Sequence, residues 1–387
     1  MRSAYLGLRY PARLVPTGVL VCLTFAMVIV VGADSAHATH VNCGDTITTD
    51  TVLDSDLIDC PNNGIIIGAD DITLDLNGHT IDGDTQLVDP CPEGEFCDAG
   101  VFADGHDGVT MMNGFVREFA TGVAVGSASG VRLAGLSSTR NAFFGFLLFD
   151  VSQSVLRDSS GSQNPVPDGD GLGMFASRSN RIVDNRFSGN SLGIHVEDSP
   201  NNLIKGNVIS GQTEGPGILM QANRNEIRSN TCRRNGICIL ANGDHNIIAR
   251  NHVGGGGDGI GVENGRDNVV TRNVLVRVQG TGINLGIRFP AFGGRNNVVR
   301  KNVVKGSGGD AFLVAKKDGH SVLNHNIARR AGDDGFDIRS DSARLMNNRA
   351  FGNADLGIDA VQGVIDGGRN IARFNGDPRQ CVNIECN

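Results

Sequence analysis

Gly193-Ile-His-Val196, Asn202-Leu-Ile-Lys-Gly-Asn207, Gly217-Ile-Leu-Met220, Asn225-Glu-Ile-Arg-Ser-Asn230: within 38 residues the chain states one pattern twice. The first unit is Gly-apolar-x-apolar. The second, Asn-x-apolar-x-x-Asn, follows about nine residues later. Working outward, the Gly unit recurs from Gly171, Gly236, Gly259, Gly282, Gly335 and Gly357, with Ala311 once in its place. Earlier copies start at Gly64, Gly100, Gly122 and Gly145. The Asn unit recurs as Asn180/Asn185, Asn246/Asn251, Asn268/Asn273 and Asn297/Asn302, and more weakly as Ser321/Asn326 and Ala343/Asn348.

Each unit holds a short run of alternating apolar residues, the pattern of a short strand. Gly and Asn, which tolerate turn dihedrals, separate the runs. No 3.6-residue period persists after the first 38 residues. Two or three short strands per period of about 23 residues make one turn of a parallel β-helix, with equivalent positions stacking at ~4.8 Å. A β-propeller needs blades of roughly 40–45 residues, and a calcium-binding roll needs tandem nonapeptides, of which Gly254–Asp258 is one isolated copy. The expectation is an all-β chain, a single right-handed parallel β-helix of roughly twelve coils over residues 39–387. Repeated asparagines at one turn are expected to form an amide ladder, a structural role rather than a catalytic one.

Arg2, Arg9 and Arg13 precede an apolar run from Val15 to Ala33 and the small-x-small triplet Ala36-His-Ala38. This is the form of a secretory signal peptide cleaved after Ala38, so a secreted or extracytoplasmic protein without membrane attachment is expected. Eight cysteines remain in an exported chain, and disulfides are the expected state. Cys43/Cys60, Cys91/Cys97, Cys232/Cys238 and Cys381/Cys386 are the simplest of the 105 connectivities that eight cysteines allow. Residues 84–99 are expected to form an inserted loop, and residues 376–387 a C-terminal cap.

The mature chain carries 31 basic and 41 acidic residues and neither Trp nor Tyr. A catalytic tyrosine is excluded, and an acidic chain is poorly suited to nonspecific nucleic-acid binding. The charge is uneven: residues 39–201 sum to −17, residues 202–306 to +8 and residues 307–387 to −1. In the basic middle, Lys205, Arg228, Arg250, Arg272, Arg300 and Lys301 recur around the Asn unit. Such a row suits a polyanion of regular charge spacing, such as a polyuronate. His195 and Glu197, on one Gly-unit strand, are further candidates for substrate binding.

Cys43-Gly-Asp-Thr-Ile47, Ile72-Thr-Leu-Asp-Leu-Asn-Gly-His-Thr-Ile81, His106-Asp-Gly-Val-Thr110 and Gly145-Phe-Leu-Leu-Phe149 resemble the right-handed parallel β-helix repeat family. That family includes NosD-like exported proteins and shares its fold with pectate lyases. The resemblance spans residues 43–375 and implies fold more than activity, because the fold hosts lyases, hydrolases, epimerases and non-enzymes. Asp333-Asp-Gly-Phe-Asp337, with Asp310 one coil earlier, resembles the calcium-binding DDGxD pattern of one pectate lyase family. It implies calcium on Asp310, Asp333, Asp334 and Asp337, bridging to a uronate, with a basic residue taking the C5 proton. Arg339 and Lys316 are the candidates for that base; no lysine follows Lys317, so the family's downstream lysine has no match.

The NosD-like resemblance implies copper, which favours clustered His, Met and Cys. Those residues are scattered, so no tight copper site is expected, and no nucleotide or organic cofactor. The leading expectation is a monomeric protein that binds acidic polysaccharide with calcium. The alternatives are a lyase or epimerase on a uronate polymer and a NosD-like maturation or scaffold protein acting through a protein partner.

Overall fold

The computed structural model describes residues 38–387 apart from 87–96, 165–168, 213–214 and 287–292. The expected signal peptide lies outside the described residues except for its last residue, as do Cys91 and most of the 84–99 insertion. Among the described residues every regular element is a β-strand.

Each coil supplies three strands, which stack in parallel on those of the next coil. The coil at 194–210 shows the plan. Ile194–Glu197, in sheet A, pairs with Pro216–Gln221. Leu203–Lys205, in sheet B, pairs with Glu226–Arg228, and Val208–Ser210, in sheet C, pairs with Thr231–Ala241. The Gly unit builds sheet A, and the Asn unit spans sheet B with the corner into sheet C. There are about fourteen turns rather than twelve. The end turns lack the repeat motif: Asp45–Ile47 opens sheet A and Cys381–Val382 closes it, so the C-terminal segment adds a strand as well as a cap.

The apolar residues of each Gly unit point inward, as Ile194 and Val196 do with no exposed surface. They join one continuous core running the length of the solenoid. The glycine itself is fixed by space. A Cβ at Gly64, Gly100, Gly122, Gly145, Gly171 or Gly193 would meet the carbonyl oxygen of its counterpart in the next coil at 2.4–2.8 Å. One copy of the unit is out of register. Ile218 pairs with Ile239 and Leu219 with Leu240, so Cys238, not Gly236, stands in the glycine column. The outward and preceding positions of that coil are therefore Leu240 and Ile237, not Cys238 and Asn235. The Cys232–Cys238 disulfide fixes this shift.

Cys43–Cys60 and Cys381–Cys386 are also disulfides, and Cys97 is disulfide-bonded. The asparagines form the expected ladders, amide to amide from Asn185 to Asn370 at 3.0–3.3 Å and also through the backbone. Each side-chain oxygen accepts the backbone N–H of its counterpart one coil earlier, from Ser159→Asn185 through Asn348→Asn370 at 2.8–3.1 Å. A second ladder runs from Ser154→Asn180 to Asn297→Ser321. The residue before each second asparagine turns the corner from sheet B to sheet C in the left-handed region, at Asp158, Asp184, Gly206, Ser229, Arg250, Arg272, Lys301, His325 and Asn347.

Candidate functional site

Two rows of side chains face outward on sheet A. One is the middle position of each Gly unit; the other precedes the glycine. His195 lies in the first row, in register with Gly173 on one side and Leu219 on the other. Its Nδ1 lies 3.2 Å from Asp170 Oδ2 in the coil before and its Nε2 3.3 Å from Gln221 Oε1 in the coil after, with Glu197 at 3.9 Å. Burial pulls the imidazole down, and Asp170, with Gln221 and Glu197, more than offsets it, so His195 sits above its ordinary pKa. The ring of Phe175 stands edge-on to it at 5.2 Å. The sequence groups His195 with Glu197 and Asp198. Asp170 and Gln221 become its partners through register, which spacing across an unsettled loop could not give.

Five and six coils toward the C-terminus the same two rows turn acidic. The carboxylates of Asp310, Asp333 and Asp334 can place an oxygen each within 4.8 Å of one another. Asp310 Oδ1 accepts the Asp334 N–H at 3.2 Å, and Asp334 Oδ1 accepts the Leu356 N–H at 2.8 Å. Asp170 and Asp258 hold their next coils in the same way. These aspartates therefore have a structural role before any other. Asp337 stands outside the trio: its Oδ2 accepts Arg339 Nε at 2.7 Å. The expected base is thus ion-paired to an expected calcium ligand. Lys316 is exposed in the turn after Phe312–Val314.

Burial pushes Asp310 up to about 6, aided by the charge of Asp337, and Asp334 up to about 7, aided by Asp333 and Asp310. Against an ordinary value of 3.8, the folded chain then binds protons more tightly than the unfolded chain between about pH 4 and pH 7. The stability this contributes is full below pH 4 and is lost as pH rises toward 7. An Asp310→Asn/Asp334→Asn variant keeps both acceptor oxygens and removes both titrations. In metal-free buffer its melting temperature is expected to gain on the wild type by a few degrees from pH 4.5 to pH 7.5. A constant difference between the two melting curves would refute the assignment.

The six basic candidates lie elsewhere, where sheet B turns into sheet C. Lys205 pairs in register with Arg228, and Arg300 lies in the same row two coils beyond Ala249. Arg250, Arg272 and Lys301 fall one position later, on the corner itself. The predicted set therefore divides into two adjacent rows along one edge, away from His195 and Glu197. At its N-terminal end this edge opens into a cavity of about 780 Å³ lined by Phe115, Asp158, Asp184 and Arg186 among others. Phe115 is half exposed there.

Among the described residues soft donors do not converge. Met111, Met174 and Met220 are core residues. His40, His79 and His106 each face one aspartate, Asp54, Asp56 and Asp70. The aspartate trio is the one group of three potential ligating residues of the His, Cys, Asp and Glu types found among the described residues.

No curated protein matches the chain. Among solved structures, a DFA-IIIase from Arthrobacter chlorophenolicus A6 without its lid is 12% identical, covering 70% of this chain and 71% of that one, with a TM-score of 0.46. The A-module of a mannuronan C-5 epimerase from Azotobacter vinelandii is 13% identical, covering 83% and 89%, with a TM-score of 0.46. The catalytic domain of a GH87 α-1,3-glucanase is 12% identical, covering 86% and 64%, with a TM-score of 0.52. A family model described as "Right handed beta helix region" matches residues 170–314. A second model matches residues 39–232, half of the chain, and on that match, the solenoid described above being its fold, the chain belongs to the family described as "Periplasmic copper-binding protein (NosD)".

Proposed function

We propose that the protein is an extracytoplasmic solenoid that binds acidic, uronate-type polysaccharide along the corner between sheets B and C, without turning it over. One observation carries this reading: Lys205, Arg228, Arg250, Arg272, Arg300 and Lys301 fall on two adjacent rows of one edge, repeating at the coil spacing of ~4.8 Å. A linear polyanion laid along the axis meets a cation at successive coils. Binding is favoured over a lyase because Arg339 is held by Asp337.

Calcium belongs to this reading as a ligand of Asp310, Asp333 and Asp334, an all-oxygen set suited to a hard cation. Copper, which favours clustered His, Met and Cys, does not fit these donors. Family membership favours a second reading, a maturation or scaffold protein acting through a protein partner.

Retention on immobilised polygalacturonate and alginate, with and without calcium, tests the first reading. An Arg250→Gln/Arg272→Gln/Arg300→Gln variant is expected to lose retention by about tenfold or more, since hydrogen bonds to charged groups contribute ~1.5–3 kcal/mol each. Retention of the wild type is expected to weaken as salt rises. Equal retention of variant and wild type, at equal melting temperature, would favour the partner reading. For calcium, calorimetry is expected to show binding that Asp334→Asn abolishes and Asp337→Asn retains.

A further inference from the structure

At its C-terminal end the same edge opens into a second cavity, of about 550 Å³, whose residues lie mostly outside the basic row read from sequence. One wall consists of corner positions on successive coils, Lys301 and His325, both with φ near 57°. The floor is the sheet C row Val303, Ile327, Arg349 and Ile371, in register coil by coil. Asn347 and Arg369, at the corner of the next two coils, complete the lining.

Lys301, Arg349 and Arg369 are exposed and have no carboxylate partner among the described residues. Asp366, the nearest acid to Arg369 in sequence, is engaged by the N–H groups of Gly368 and Glu385 and by the Asn370 amide. Arg349 and Arg369, on neighbouring coils, repel each other, and no carboxylate among the described residues pairs with either. On either side of Arg349 the floor is apolar, Val303 and Ile327 before it and Ile371 after it. Valine and isoleucine side chains in a flat parallel row offer a platform for one face of a ring, and a guanidinium fork beside it fits a planar or tetrahedral oxyanion. Apolar surface with a few placed charges is the usual composition of a ligand pocket.

We propose that this cavity binds one anionic pyranoside unit, its ring on Val303 and Ile327 and its oxyanion at Arg349, the next residue of the same row, with Lys301 on the flanking corner. The proposal rests on the polysaccharide reading of the corner and deepens it, naming the place where a single charged sugar is recognised. The oxyanion is a uronate carboxylate or a sulfate ester.

The test titrates the full chain, by calorimetry and by ligand-observed NMR, with trigalacturonate, glucose 6-sulfate, maltotriose and inorganic sulfate. The two charged sugars are expected to bind and maltotriose not to; the tighter of the two identifies the oxyanion. Arg349→Gln is expected to weaken the charged sugars about tenfold, with an unchanged melting temperature. Lys301→Gln serves as a second variant should Arg349→Gln fold poorly. Inorganic sulfate binding as tightly as either sugar, an adventitious ion only, would overturn the proposal. So would trigalacturonate binding that neither variant alters. Loss of polymer retention in the Arg250/Arg272/Arg300 variant, with the wild-type cavity taking up no charged sugar, would overturn the cavity and leave the corner reading standing. Uptake of trigalacturonate by a wild-type chain that retains no polymer would support the cavity and overturn the polymer reading.

Discussion

Gly259→Val is expected to keep the folded solenoid from accumulating, or to destabilise it by about 3 kcal/mol or more. A Cβ at Gly259 would stand 2.2 Å from the Gly282 carbonyl oxygen and 2.3 Å from Leu275 Cδ2. The first contact is with backbone already fixed by its own ladder, since Ile260 N–H donates to Gly282 O at 2.9 Å. Relief requires one coil to move against the next. The constraint is space rather than dihedral, because Gly259 does not have positive φ. Gly368 is the converse: its φ is 81° and nothing lies within 4 Å of its Cβ position, so Gly368→Asn is expected to cost about 1 kcal/mol or less. Ala311 shows that the column absorbs one methyl where neighbouring coils adjust; valine adds two more carbons at the tightest point. Far-ultraviolet circular dichroism during heating separates these cases. A Gly259→Val protein that melts within a degree or two of wild type would mean that the coils do not approach this closely.

The solenoid was legible because its requirements repeat. The glycine column, the inward apolar pairs and both asparagine positions each recur often enough to reveal the period. What failed was register wherever a coil departs from it. Gly236 begins a perfect copy of the Gly unit, Gly236-Ile-Cys-Ile239, yet Cys238 takes the column position and the neighbouring outward residues shift by two. Pattern alone cannot choose between two frames that both bury isoleucine; the Cys232 bridge and the long strand Thr231–Ala241 choose between them. The first and last turns escaped because end coils are relieved of matching a neighbour on one side.

The candidate site was legible as chemistry but not as place. Sequence brought Asp310, Asp333 and Asp334 together, and they converge. It also added Asp337, which lies one position into the strand, within reach of Arg339 two residues later on the same face. The basic residues were read as one row, but a one-residue difference in offset decides whether a side chain ends sheet B or stands on the corner. Arg349 and Arg369 were missed because their cavity is made by residues of four different coils, none of which carries a signal alone. Two surfaces result: an edge with cations at coil spacing and a sheet A face with a histidine–aspartate pair near its middle and a carboxylate trio five to six coils away. The wide separation along the axis suits an extended ligand better than one compact reacting group.

Asn251→Leu is expected to destabilise the protein by about 3–5 kcal/mol while keeping the number and branching of the side-chain heavy atoms. Asn251 is 1% exposed. Its Oδ1 accepts the Asn230 N–H at 2.9 Å and the Asn230 amide at 3.1 Å, and its Nδ2 donates to Ile227 O at 3.0 Å and to Asn273 Oδ1 at 3.0 Å. Leucine leaves the Asn230 N–H buried without its acceptor. In a solenoid each coil is held only by its neighbours, so a lost rung weakens both interfaces of that coil. Asn251→Asp distinguishes loss of the amide from loss of shape. A carboxylate still accepts from Asn230, but its second oxygen faces two acceptors, Ile227 O and Asn273 Oδ1, unless it carries a proton. Asp318 already shows what burial does to such a group: it is fully buried, accepts from Ser321 and Asn297, and is pushed up to about 6. A raised folded-state pKa makes stability greatest at low pH and progressively lost as the proton leaves. Asn251→Asp is therefore expected to approach wild-type melting near pH 4 and to fall well below it by pH 7, whereas Asn251→Leu stays low throughout. Parallel curves for the two variants would show that the ladder contributes through packing rather than through its hydrogen bonds.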